Sequence, residues 1–178
     1  MIIALVGMCG SGKSEAAELL GKKGFKKIRF GDVTDEEVEK RGLSMTEKNE
    51  RMVREDLRRI HGMHAFAKLS MPRIKAAVKK SNVILDGLYS MEEYEYLKSE
   101  LEKLIIVAIY ASPATRYKRL AKRKIRPLSR NECVSRDISE IKNLNKGGPI
   151  AMADFTVKNE GNLKDMQKEI ETVLECLQ

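Results

Sequence analysis

Eight consecutive residues near the amino end, Gly7-Met8-Cys9-Gly10-Ser11-Gly12-Lys13-Ser14, match the spacing G-x-x-x-x-G-K-[ST] in full. Glycines at those places let backbone N–H groups turn toward an anion with no side chain in the way, and a helix beginning there adds its positive dipole end. The pattern predicts a cradle in which Gly10, Ser11 and Gly12 line a polyphosphate. Lys13 would reach the β- and γ-phosphates, and Ser14 would place its hydroxyl on Mg²⁺. A random chain of this length matches with a probability of roughly half a percent, so the segment is read as an ATP site rather than as a glycine-rich turn. A second acid stands at Val83-Ile84-Leu85-Asp86, an apolar run closed by a carboxylate and followed by Gly87. Asp86 is expected to hold the same Mg²⁺ through water; as a purely structural residue it would cap a turn or a helix. Cys9, inside the loop, could form a reactive thiolate beside Lys13, although a small residue that simply fits is the commoner case.

Those residues need a frame. Met1 to Val6 reads as a buried strand ended by Gly7, and a helix follows from Lys13 with Ala16, Ala17, Leu19 and Leu20 as its packing stripe. Phe25 to Phe30 reads as a second strand. Residues 34–81 are helix-rich and highly charged, with breaks at Arg41-Gly42, His61-Gly62 and Met71-Pro72, and are expected to form a helical cap over the acceptor. Asn82 to Leu85 gives a third strand, Met91 to Glu102 a helix, Leu104 to Tyr110 a fourth strand and Pro113 to Lys124 a helix. Asp154 to Val157 gives a short fifth strand and Leu163 to Leu177 a closing helix. Strands alternating with helices predict a three-layer α/β P-loop fold: a five-stranded parallel sheet flanked by helices, with binding sites beyond the carboxyl ends of the strands. Residues 1–178 are read as one domain, carrying the cap and a short lid at 124–136.

A chain of 178 residues can bury a core without staples. Its three cysteines, Cys9, Cys133 and Cys176, are widely spaced and form no C-x-x-C pair, which argues against a disulfide framework or a zinc site and fits a reducing cytoplasm. The opening apolar run is too short for a membrane span. A net charge of +8 suits nucleic acid or a polyphosphate equally. With aromatics at 5% and no tryptophan, stacking platforms for single-stranded bases are scarce, which weighs against nucleic acid and for small nucleotide substrates. Asn145-Lys146-Gly147-Gly148 lacks the final aspartate of the guanine-reading N-K-x-D, which removes support for a GTPase switch.

The order of landmarks resembles the nucleoside-monophosphate kinase superfamily, specifically its adenylate-kinase-related archaeal branch, with an echo of dephospho-CoA kinase. The landmarks are the Gly7–Ser14 loop, Phe30-Gly31-Asp32-Val33, Leu57-Arg58-Arg59-Ile60-His61-Gly62, Leu85-Asp86-Gly87, Ala111-Ser112-Pro113 with Arg116-Tyr117, Arg136-Asp137, and Ala153-Asp154-Phe155 leading to Asn159-Glu160-Gly161. Only the first is highly specific. The resemblance implies that Arg119 and Arg123 form the family's Arg-x-x-x-Arg pair, one guanidinium over adenine and one on the transferring phosphate. It implies that Arg126, Arg130 and Arg136 ride on the lid, and that the backbone of Asn159 to Gly161 frames adenine. Lys13, Asp32, Arg119, Arg123 and Arg136 are then the catalytic set. Asp32 would stand near the attacking oxygen, with an acidic helix start as the competing reading.

Two features depart from that family. Its acceptor-phosphate arginines, one after the Gly-Asp of the second strand and one after the Asp-Gly of the third, are replaced here by Thr34-Asp35 and Leu88-Tyr89. Arg54, Arg58 and Arg59 on the cap helix are the candidate substitutes, Arg54 and Arg58 lying four apart on one face; Arg54 and Arg58 with Asp32 and Asp86 make the expected acceptor side. Three functions follow: an ATP- and Mg²⁺-dependent kinase for a nucleoside monophosphate or related nucleotide, a dephospho-CoA kinase-like enzyme, or a nucleotide-binding regulator or slow ATPase with a degraded acceptor site. A monomer or homodimer suits each.

Overall fold

A computed structural model describes residues 1–124 and 127–177. Its elements in chain order are β1 (Ile2–Val6), α1 (Lys13–Lys22), β2 (Lys26–Arg29), α2 (Gly31–Lys40), α3 (Glu47–His61), α4 (Ala65–Val78) and β3 (Val83–Asp86), continuing through α5 (Met91–Glu100), β4 (Leu104–Tyr110), α6 (Pro113–Ala121), α7 (Arg130–Leu144), α8 (Gly147–Ala151), β5 (Phe155–Lys158) and α9 (Leu163–Glu175). The strands form one sheet in the order β2-β3-β1-β4-β5, and every neighbouring pair is parallel.

β1 lies at the centre, between β3 and β4, and all five of its residues are buried. Because side chains alternate along a strand, Ile2, Ala4 and Val6 enter one core with the cap helices and α5, while Ile3 and Leu5 enter another with α1 and α9. A sheet covered on both faces reads in sequence as an unbroken apolar run, which is why β1, β3 and β4 were visible as such. The predicted five-stranded parallel α/β architecture flanked by helices is the one observed. Among the described residues, no helix is long and apolar enough to cross a membrane.

Differences from the sequence reading sit at element ends and in the cap. β3 extends to include Asp86, which pairs in register with Leu5 of β1 and Arg29 of β2, so the carboxylate is held by the sheet itself. α2 starts at Gly31, placing Asp32 in its first turn. The break expected at Met71-Pro72 does not occur: α4 runs through Pro72. Pro72 and Lys68, the residue whose carbonyl it leaves unbonded, are both exposed, while Met71 and Ile74 are buried and hold the helix down.

Candidate active site

The loop after β1 has its glycines where only glycine fits. Gly7, Gly10 and Gly12 take φ of +147°, +81° and +103°. A Cβ on Gly7 would collide with the carbonyl oxygen of Ile109, and one on Gly12 with Nδ2 of Asn159. Gly12 is the N-cap of α1 and no side chain caps that helix start, so its first N–H groups are open to an anion. Lys13 Nζ folds back to donate to the carbonyls of Gly7 (2.7 Å) and Met8 (3.1 Å). Burial, reinforced by the nearby Lys146 ammonium, lowers the Lys13 pKa to about 7. A phosphate arriving beside it would restore its charge. Ser11 Oγ is buried without a hydrogen-bond partner in the same loop.

Arg116 on α6 fixes the back of this loop. Its guanidinium is 4% exposed and donates to the carbonyls of Cys9 and Ala111, both at 3.1 Å. It also makes a two-pronged pair with Asp137 of α7, at 2.9 and 2.7 Å. The loop, β4 and α7 are thereby joined through one side chain. Beyond β5, Asn159 Nδ2 donates to the Ser11 carbonyl at 2.8 Å, and Arg119 Nη2 donates to Asn159 Oδ1 at 3.2 Å and to the Gly161 carbonyl at 3.4 Å. Nη1 of Arg119 is buried and unpartnered.

A cleft of about 700 Å³ opens from the loop. Lys13, Ser14, Arg119, Arg123 and Arg136 line it, as do Asn159 and Gly161. Asp86, Lys27, Arg29, Tyr89, Glu140 and Lys146 also line it. Asp86 is 8% exposed and receives Lys27 Nζ at 3.2 Å. Glu140 accepts from Arg136 Nε at 3.1 Å and from Lys146 Nζ at 2.7 Å. Despite burial, which opposes its charge, those two cations hold the Glu140 carboxyl below the usual range. Cations outnumber carboxylates in this lining, the composition expected of a polyanion site.

The sequence-derived residues divide in two. Gly10, Gly12, Lys13, Ser14, Asp86, Arg119, Arg123, Arg136, Asn159 and Gly161 share the cleft, and Ser11 is buried beneath it. Asp32, Arg54 and Arg58 are not among the lining residues. Asp32 and Asp35 both accept from Arg29 Nη1 at 3.0 Å. Arg54 bonds Glu47 and Glu50 of its own helix, and Arg58 packs over the Phe66 ring at 4.9 Å. Arg130 is exposed at the start of α7, and Arg126 lies outside the described residues. Sequence reasoning missed Lys27 and Arg29 of β2 and Glu140 and Lys146 at the end of α7, two segments far apart in the chain. In the sequence, Lys146 reads only as part of an incomplete guanine-reading motif.

The donor set suits Mg²⁺: one hydroxyl, Ser14, and one carboxylate, Asp86, face the place where phosphates would lie. Among the described residues no cluster of three or more His, Cys, Asp or Glu could hold a metal alone. Mg²⁺ characteristically takes few protein ligands and completes its shell with water and phosphate oxygens.

The AAA domain family model AAA_18 matches residues 3–138. A UPF0200 protein of Thermococcus sibiricus is 37% identical over 99% of this chain and 95% of its own length. That of Thermococcus gammatolerans is 36% identical over 98% and 94%. Among solved structures, TT1252 from Thermus thermophilus superposes with a TM-score of 0.71 at 21% identity, covering 100% of this chain and 98% of that one. Shikimate kinase from Bacteroides thetaiotaomicron gives 0.63 at 14% identity, covering 99% and 98%. That of Aquifex aeolicus gives 0.58 at 27% identity, covering 98% and 96%.

Proposed function

The chain belongs to the AAA domain family and, within it, to the UPF0200 proteins, and from that premise we propose that it is an ATP-dependent phosphotransferase acting on a nucleoside monophosphate or related small nucleotide. The observation that carries the proposal is the single cleft that collects Lys13, Ser14, Asp86, Arg119, Arg123 and Arg136 at the carboxyl end of a parallel sheet. Its kinase-like fold is shared with enzymes whose names specify small hydroxylated acceptors.

Each side chain has a role that its place suits. The loop amides and Lys13 would hold the β- and γ-phosphates. Mg²⁺, when bound, would neutralise phosphate charge, with Ser14 and, through water, Asp86 as its protein contacts. Arg119, anchored by Asn159 and Gly161, would lie along adenine. Arg123 and Arg136 would meet the charge that grows on the transferring phosphoryl oxygens, which is where a guanidinium accelerates the reaction. We assign residues 34–81 to the acceptor cap and 124–136 to the lid. Asp86, buried and lining the cleft, is better placed than Asp32 to orient an acceptor hydroxyl, because Asp32 is not among the lining residues.

A second reading has an observation of its own. Asp35 and Tyr89 stand where acceptor-phosphate arginines are expected, and Asp35 draws Arg29 away as well. That suits a nucleotide-binding regulator or slow ATPase. A coupled ADP-release assay across AMP, CMP, UMP, GMP, the deoxynucleotides, dephospho-CoA, shikimate and gluconate separates the readings. Acceptor-stimulated turnover by a nucleotide supports the kinase, and a preference for dephospho-CoA selects that acceptor. Tight ATP binding in calorimetry without transfer to any acceptor favours the regulator.

A further inference from the structure

Lys146 is the most deeply buried charged side chain at the cleft, 1% exposed. Its position is built rather than incidental. α7 ends on Asn145 in the left-handed conformation, φ +50°, which turns the chain sharply back. The Lys146 backbone N–H then returns to the Glu140 carbonyl at 3.3 Å, and its Nζ to Glu140 Oε2 at 2.7 Å. The ammonium lies 5.1 Å from the centre of the Tyr89 ring, close enough for a cation–π contact.

Two further facts show where that charge points. Tyr89 follows Asp86-Gly87, and Lys146 brings a cation to that turn from the end of α7. Glu140 is shared between Lys146 and Arg136, so one carboxylate faces two cations, and both cations line the cleft that holds Lys13.

We propose that Lys146 binds the transferring γ-phosphoryl group together with Lys13, adding a second ammonium to the phosphate-binding cleft. Glu140, bonded to both Lys146 and Arg136, holds the ammonium in place at the cleft. The inference rests on reading the cleft as an ATP phosphotransferase site, and it predicts a nucleotide-specific effect that a mere corner pin would not have. A lysine that only fixes the α7–α8 turn would change ADP and ATP binding together.

The test is calorimetric titration of the wild type and Lys146→Met with Mg·ATP, with Mg·ADP, and with Mg·ADP plus aluminium fluoride as a mimic of the transferring group. The proposal expects ATP and aluminium fluoride affinity to fall about tenfold to hundredfold, the worth of a charged hydrogen bond, with ADP affinity changed less than about threefold. Removing Lys146 alone leaves Glu140 with only Arg136. If that variant melts well below the wild type, Glu140→Gln/Lys146→Met, which removes both members of the buried pair, is titrated in its place. Equal losses for ADP and ATP, or no loss for either, overturn the proposal. Failure of the wild type to bind any of the three probes removes the phosphotransferase reading itself.

Discussion

Replacing Asp137 with asparagine keeps its shape and removes its charge, leaving the Arg116 guanidinium enclosed without a counter-ion. Arg116 is 4% exposed and Asp137 8%, and two of the four oxygens that the guanidinium reaches belong to this carboxylate. Tyr117 also donates to Asp137 Oδ2, at 2.8 Å. Breaking one side of a buried pair costs about 3–5 kcal/mol. For a chain of this size, each kcal/mol moves the melting midpoint by about 2–4 °C, so Asp137→Asn should melt about 6–20 °C lower. The companion variant Arg116→Met/Asp137→Leu removes both charges, and such swaps are often neutral or stabilising. Its melting point should therefore recover. Its nucleotide affinity should not, because the Cys9 carbonyl has lost the donor that holds the phosphate loop. Circular-dichroism melts and calorimetry with Mg·ATP read the two effects separately. If Asp137→Asn melts within about 2 °C of the wild type, or if the double variant binds ATP as the wild type does, the claim that Arg116 fixes the loop is refuted.

Gly12→Ala should lower ATP affinity by at least about tenfold, because its Cβ would displace Asn159 at a φ of +103° that L-residues avoid. Gly21→Ala, in α1 with open space around it, should instead stabilise the fold by up to about 1 kcal/mol; equal affinity in Gly12→Ala and the wild type would contradict the geometry. Burial pushes the Glu93 pKa up from 4.5 to about 7, against the pull of the Tyr89 N–H and Arg58. A folded-state pKa above the unfolded value means stability that is present below pH 4.5 and lost as pH rises through about 7. The wild type should therefore lose about 3 kcal/mol relative to Glu93→Gln across that window, and parallel melting curves for the two would contradict it. Ser70 Oγ is buried in α4 with no partner, so Ser70→Ala should raise the melting point by a few degrees; a fall would mean that the hydroxyl is satisfied.

The donor half of the site was legible because it is local. Eight consecutive residues define the loop by backbone geometry, and the strand before it is an apolar run because both faces of the sheet are covered. The resemblance placed Arg119, Arg123, Asn159 and Gly161 in the same cleft as the loop. Element ends drifted by one to three residues, as at β2 and α6, where no strong stop signal stands. Pro72 misled because proline marks a helix break only where its carbonyl partner cannot reach water. The rest of the cleft lining was illegible because it is assembled from far apart: Lys27 and Arg29 from β2, Tyr89 from the turn after β3, Glu140 and Lys146 from the end of α7. Arg54 is instructive. Its spacing to Arg58 suggested a shared phosphate-facing pair, yet Glu47 and Glu50, seven and four residues earlier on the same helix, were equally readable as its partners.

Lys13→Ala reaches the central claim most directly. Titration of wild type and variant with ATP, each with and without Mg²⁺, should show the variant binding Mg·ATP about tenfold to hundredfold more weakly, with the benefit of Mg²⁺ reduced, while the melting point stays close to that of the wild type. Unchanged affinity and unchanged Mg²⁺ dependence in a folded variant would mean that residues 7–14 do not hold a triphosphate, and the phosphotransferase account would fall with them.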